Sequence, residues 1–144
     1  MIHYQSFING AWVEGEGVIE VVDPSSGETF ATVSKVTRVQ LKEAIEGAYR
    51  AFDIWSRKLA IERSRLLLKA ASAVRERHRE IATLLAREQG KALPDAEREI
   101  LGAADCLEYY AFLGANILGE VPPPNATNLR SIAIRQPVGV VFAV

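Results

Sequence analysis

Hydrophobic positions along this chain follow two different periods. Over the first 36 residues, short β-favouring runs (Phe7-Ile8, Ala11-Trp12-Val13, 18–22 and 30–33) alternate with turn residues at Asn9-Gly10, 15–17 and 24–27. That spacing predicts a small antiparallel meander, and Asn9-Gly10, a pair that tolerates positive φ, predicts its tightest hairpin. From Thr37 the period becomes helical. Leu41, Ala44, Ile45, Ala48, Ala51 and Phe52 recur at three- and four-residue spacing, which predicts a helix over 38–53 with Thr37 and Gln40 placed as a capping box. A second stripe, from Ile61 through Leu67, Ala71, Val74, Ile81 and Leu85, predicts a long helix to Glu88 that breaks near Arg77-His78 and stops at Gly90. Pro94 suits a first helical turn. Ile100, Ala103, Ala104, Leu107, Tyr110 and Ala111 then mark a third long helix that ends between Gly114 and Gly119.

The tail changes character again. Pro122-Pro123-Pro124 forces extended backbone, and polar residues 125–128 precede two β-like stretches, 132–134 and 138–144. The second is almost wholly apolar, as suits a strand buried on both faces of a parallel sheet. Such a strand needs a crossover helix and a neighbour after it, and no residues follow Val144. The pattern as a whole is α/β: a small β-meander, three long helices and terminal strands. The unpaired backbone of 131–144 is expected to be covered, by strand pairing with a second copy or by the chain's own helices.

Composition narrows the function classes. With 49% hydrophobic and 24% charged residues among 144, the chain has the profile of a folded globular protein. Seventeen Lys and Arg against 18 Asp and Glu leave a net charge of −1, so no global field recruits nucleic acid or an anionic membrane. No apolar run approaches the roughly 20 residues that span a bilayer, and 1–10 lack the basic-then-apolar order of a signal peptide. A single cysteine, Cys106, forbids an internal disulfide and points to the reducing cytoplasm.

The candidate chemistry is sparse. Cys106 lies in the third helical stripe with no histidine nearby in sequence, and reads as a small buried hydrophobe. His3 falls in a terminus expected to fray, and His78 in the charged run 75–80, which reads as a solvated helix face. Asp95, Glu97 and Glu99 resemble paired carboxylates, but Asp95 and Glu99 share a helix face and are expected to meet water. Gly139 is no phosphate-binding turn, since no glycine-rich loop leading into a helix surrounds it. These residues give no catalytic, cofactor-binding or metal-binding position.

The strings FINGAW (7–12), VVDPSSGE (21–28), EQGK (88–91), LEYYA (107–111) and RQPVGVV (135–141), in this order, resemble the amino-terminal region of the NAD(P)-dependent aldehyde dehydrogenase superfamily across essentially the whole chain. The resemblance implies three segments. Residues 1–121 would be the amino-terminal part of the cofactor-binding domain, 122–136 a strand segment of the oligomerisation region, and 137–144 the first strand of the dinucleotide-binding sheet, with Val144 at its edge toward the cofactor. It implies that Asp23, Pro24 and Gly27 form a turn between strands, that Trp55 closes the first helix pair, and that Glu88 to Lys91 leave the long helix. In some members an acid at the position of Glu99, with backbone oxygens near Val22, holds a monovalent cation.

The family's chemistry uses a cysteine thiolate, hydride transfer to NAD or NADP, and a glutamate that activates water, all carried beyond the position of Val144. The implied function is therefore an amino-terminal fragment of an enzyme that oxidises an aldehyde, such as a semialdehyde, to a carboxylic acid. Alone it would be inactive and bind no cofactor, and it would form a homo-oligomer through 131–144. The alternatives are a non-enzymatic oligomerisation or interaction module derived from that family, and a bare structural domain.

Overall fold

A computed structural model describes residues 1–143. In chain order the elements are β1 (Ile2–Tyr4), β2 (Ser6–Ile8), β3 (Ala11–Val13), β4 (Val18–Val22), β5 (Thr29–Ser34), α1 (Arg38–Ser56), α2 (Ala60–Glu76), α3 (His78–Gln89) and α4 (Leu93–Ala115).

The strands depart from a single meander. β2 and β3 form the expected hairpin, with Phe7 opposite Trp12 and their rings 5.0 Å apart. Asn9 (φ 52°) and Gly10 (φ 86°) occupy the left-handed region its two-residue turn requires. The other three strands make a separate sheet in the order β1-β5-β4, in which β4 pairs antiparallel and β1 parallel to β5. The terminus expected to fray is thus an edge strand. Three residues are too few to show a period, and what fixes β1 is long-range: His3 bonds to Thr32 on β5 at 2.9 Å.

The helices follow the stripes closely. Thr37 Oγ1 accepts from the Gln40 N–H at 3.1 Å, and Gln40 Oε1 accepts from the Thr37 N–H at 2.8 Å, so the capping box is formed. The long second helix divides at Arg77, whose backbone (φ −106°, ψ 11°) leaves the helical region, giving four helices instead of three. α3 ends on Gly90 as a left-handed C-cap.

Alanine dominates the interior. Ala71 of α2, Ala82 of α3, and Ala96, Ala104 and Ala111 of α4 have no exposed surface. The three on α4 recur at seven- to eight-residue spacing, one stripe of the helix, and α4 makes its main packing contacts with α2 and α3. Small side chains at a helix contact permit the short end of the usual 8–10 Å axis separation. On the sheet, Phe30, Ala31 and Ser34 of β5 are buried. None of the described residues larger than these is fully enclosed.

Gly15 marks the tightest backbone approach, because a Cβ there would lie 1.8 Å from the Lys35 carbonyl oxygen. Gly15→Ala should therefore push the β3–β4 connection off β5 and cost roughly 1–3 kcal/mol, the range of overpacked sites. Urea unfolding of the two proteins checks this.

The tail differs from expectation. Glu120 and Ala133 form an isolated antiparallel bridge through paired backbone bonds of 2.8 and 2.9 Å, which is all that remains of the 132–134 strand. Residues 138–143 form no strand. A strand exists only as a ladder with a neighbour, and Gly139 at φ 113° lies outside the β region altogether. The segment instead lies along α1, where Val140 lines one apolar cleft with Ala48, Phe52 and Trp55 and another with Leu41 and Ile45. Val144, expected at the sheet edge, lies outside the described residues.

Candidate functional site

Two of the quoted strings meet in space at Asp23. Its carboxylate accepts from the Ser25 N–H (2.9 Å) and hydroxyl (2.6 Å) through one oxygen, and from Arg87 Nε (3.2 Å) through the other. The Ser25 hydroxyl, ahead of its backbone N–H and of Arg87, holds the Asp23 carboxyl below the usual aspartate range. The Arg87 guanidinium carbon also stands 4.3 Å over the Phe30 ring, and Gly90 faces the Pro24 ring. Asp23 and Gly27 close the β4–β5 turn, with the Gly27 N–H donating to the Asp23 carbonyl at 2.8 Å. The DPSSG turn and the end of α3 are one joint.

Glu14 is the second polar centre. Ser34 donates to it at 2.6 Å, His3 Nε2 at 2.9 Å and Gln5 Nε2 at 2.9 Å, while Gln40 Nε2 donates to its backbone carbonyl at 2.6 Å. A carboxylate only accepts, so His3 donates to it from Nε2, while its Nδ1 bonds with the Thr32 hydroxyl at 2.9 Å. The Ser34 hydroxyl first, then His3 and Gln5, lower the Glu14 carboxyl from 4.5 to about 2. A carboxyl depressed in the folded chain adds stability that is complete above about pH 4.5 and lost as pH falls toward 2. Glu14→Gln should flatten that part of the acid limb. Thermal melts followed by circular dichroism at pH 6, 4 and 3 read out the difference.

The charged run 75–80 is not wholly solvated. Arg75 reaches across from α2 to α4, donating to Glu108 from Nε and Nη2 at 3.0 Å and also pairing with Asp105. Those two carboxylates raise the Arg75 guanidinium further above its ordinary value, and Arg75 in turn lowers Glu108. Arg77 pairs with Glu80 along the chain at 2.7 Å, as expected of a surface pair. His78 Nδ1 lies 2.8 Å from the Arg75 carbonyl, at the junction of α2 and α3.

The residues weighed for chemistry stay apart. Cys106 is exposed, not buried: the buried stripe of α4 runs through Ala104 and Ala111, which turns position 106 outward. Its neighbours one turn away are Gly102, Ala103, Tyr109 and Tyr110, none of them a base or a cation. The three acids at the start of α4 each take a cation, Asp95 with Arg98, Glu97 with Arg79 at 3.8 Å, and Glu99 with Lys91. Among the described residues no group of three or more His, Cys, Asp or Glu gathers as a metal site. The helix starts, at Thr37, Leu59, Arg77 and Ala92, follow no glycine-rich loop, so the described residues do not fit a dinucleotide's pyrophosphate.

What stands open is an apolar face. No residue of α1 is buried. Leu41, Ile45, Tyr49 and Ile54 are exposed along it, and of the segment lying over it only Gly139 is half-buried, with Val140 the least exposed of its large apolar side chains. The sequence shows α1 as amphipathic but not that its apolar side faces solvent here.

The sequence model of the aldehyde dehydrogenase family matches residues 12–144. The mitochondrial succinate-semialdehyde dehydrogenase of Oryza sativa subsp. japonica is 37% identical over 146 residues, covering 100% of this chain and 28% of the relative. The succinate-semialdehyde dehydrogenase [NADP(+)] of Escherichia coli strain K12 is 33% identical, covering 100% of this chain and 30% of the relative. Among solved structures, a betaine aldehyde dehydrogenase from Staphylococcus aureus in complex with NAD+ superposes with a TM-score of 0.84 at 27% identity, over 94% of this chain and 28% of that one. The chain thus spans less than a third of the length of these relatives.

Proposed function

Because the chain belongs to the aldehyde dehydrogenase family, we propose that it is the amino-terminal scaffold of an enzyme that oxidises a semialdehyde to the corresponding acid with NAD or NADP, and that it has no activity of its own. The observation that carries this reading is the match over 12–144, which takes in β4, β5 and all four helices. The semialdehyde class is supported by the names of the rice and Escherichia coli relatives. NAD or NADP is supported by the Escherichia coli name and the Staphylococcus aureus complex. In this reading residues 1–121 brace the cofactor domain, 122–136 serve assembly and 137–144 enter its sheet. The cytoplasmic placement rests on the lone thiol, and no helix among the described residues is long and apolar enough to cross a membrane.

The chain's own part is mechanical. The Asp23 joint ties the small sheet to α3, Arg75 ties α2 to α4, and the Glu14 cluster ties β1 and β5 to the start of α1. We assign homo-oligomer formation to 131–144, a reading supported by the exposure of Ile132 and Ile134 beside the Glu120–Ala133 bridge.

A chimera tests the reading. In it this chain replaces the matching 30% of the Escherichia coli enzyme, and NADPH formation is followed with succinate semialdehyde and with an uncharged aldehyde of equal length. Turnover that favours the semialdehyde is expected. A folded chimera with no turnover on any aldehyde would count against the scaffold role.

A further inference from the structure

Asn9 and Gly10 make the two-residue turn of the β2–β3 hairpin, and both are exposed to solvent. An asparagine followed by glycine is the pair in which the next backbone nitrogen attacks the side-chain amide most readily, because glycine has no Cβ to hinder ring closure. The three other asparagines precede Ile117, Ala126 and Leu129, whose side chains do hinder it. In this chain the reactive carboxamide is not free to turn. Its Nδ2 donates to the Glu43 carbonyl of α1 at 3.2 Å. A Cβ on Gly47 would lie 1.7 Å from its Oδ1 and 2.5 Å from its Cγ. The group that must swing toward the Gly10 nitrogen is thus seated on bare helix backbone instead.

We propose that Asn9 is a deamidation site gated by its seat on α1: it is spared while the hairpin is docked, and once lifted it reacts and does not dock again. In the reaction the Gly10 nitrogen bonds to Asn9 Cγ, and its hydrogen leaves with Nδ2 as ammonia. Water then opens the cyclic imide at one of its two carbonyls. Opening at the side-chain carbonyl leaves an aspartate at position 9 on a normal backbone. Opening at the main-chain carbonyl routes the backbone through the side chain and lengthens it by one methylene.

Both products undo the seat. A carboxylate only accepts, so it meets the Glu43 carbonyl oxygen with no hydrogen between them, and Arg50, which lines the same cleft, offers it a cation elsewhere. The lengthened backbone no longer closes a two-residue turn in the register that pairs Ile8 with Ala11. The hairpin that carries the Phe7–Trp12 pair is therefore released by a chemical step that water alone completes.

Incubation at mildly alkaline pH, followed by peptide mapping with mass spectrometry, gives the rate at each asparagine. In the folded 144-residue chain Asn9 should react slower than in a free peptide of residues 6–13, by roughly fivefold or more, the factor one ordinary hydrogen bond is worth. Gly47→Ala strengthens the helix by propensity but fills the seat, and it should bring the rate up to that of the peptide with helix content unchanged. Hydrogen exchange of the backbone over 6–13 should be faster in the Asn9→Asp chain than in wild type, a measurement that does not depend on how Gly47→Ala folds. Equal rates in the folded chain and the peptide would overturn the proposal, as would a helical Gly47→Ala chain that reacts no faster than wild type. Unchanged exchange in Asn9→Asp would overturn the release of the hairpin.

Discussion

Ala104→Leu together with Ala71→Leu should abolish cooperative unfolding and leave a loosened helical state. Both alanines are fully enclosed, on two helices that pack against each other. Each leucine adds three heavy atoms where no space remains, and the only relief is to part the axes of α2 and α4. Overpacking one buried site costs roughly 1–3 kcal/mol, and a small domain has about 5–15 kcal/mol in all. This chain starts low in that range, because it lacks large enclosed side chains. Parting the helices also pulls Arg75 away from Asp105 and Glu108, so the two losses compound. Near-neutral behaviour is expected of the exposed control Ala103→Leu, within about 0.5 kcal/mol as for ordinary surface changes. Circular dichroism at 222 nm during thermal and urea unfolding measures both. A double variant that melts as sharply as the wild type would show that the alanine stripe is not what sets the helix spacing.

The elements written in short-range chemistry were legible in the sequence. Asn9-Gly10, the Thr37–Gln40 box, the break at Arg77 and the stop at Gly90 each need only neighbours within four residues, and each stands where it was expected. Legibility failed where a feature depends on distant partners. β1 is held through Thr32 and Glu14, far along the chain. Arg75 looks like any surface arginine until α4 is placed beside α2. Cys106 reads as buried because it neighbours the broad stripe 100–111, whereas the contact face is only the narrow alanine line 96, 104, 111 within and before that stripe. The 138–144 run reads as a strand from composition alone, but a strand without a ladder is only extended chain, and here Val140 packs on α1 instead. The motif order was the readable part of function, and the family match over 12–144 agrees with it.

Aldehyde-dependent reduction of NAD or NADP by the 144-residue chain alone should be indistinguishable from buffer, and Cys106→Ala should behave identically. Thioester chemistry needs a thiolate, a group that activates water and donors for the developing oxyanion, held together within hydrogen-bond reach. Losing a single oxyanion donor costs about a hundred- to a thousandfold, and here no such set is assembled among the described residues. Cys106 lacks even a base or a cation one helical turn away, and it stands far from the α4 N-terminus, where a helix dipole would favour a thiolate. Relative to the chimera with the Escherichia coli remainder, the expected difference is therefore on the order of a millionfold or more, the usual lower bound of enzymatic acceleration. Calorimetry with millimolar NAD or NADP should likewise give no saturable heat, since the helix starts offer no glycine-rich turn for a pyrophosphate. Absorbance at 340 nm with a panel of aldehydes decides the first point. Turnover by the wild type that disappears in Cys106→Ala would make this exposed thiol the nucleophile. Turnover that survives the substitution would place the chemistry on residues outside the scaffold reading entirely.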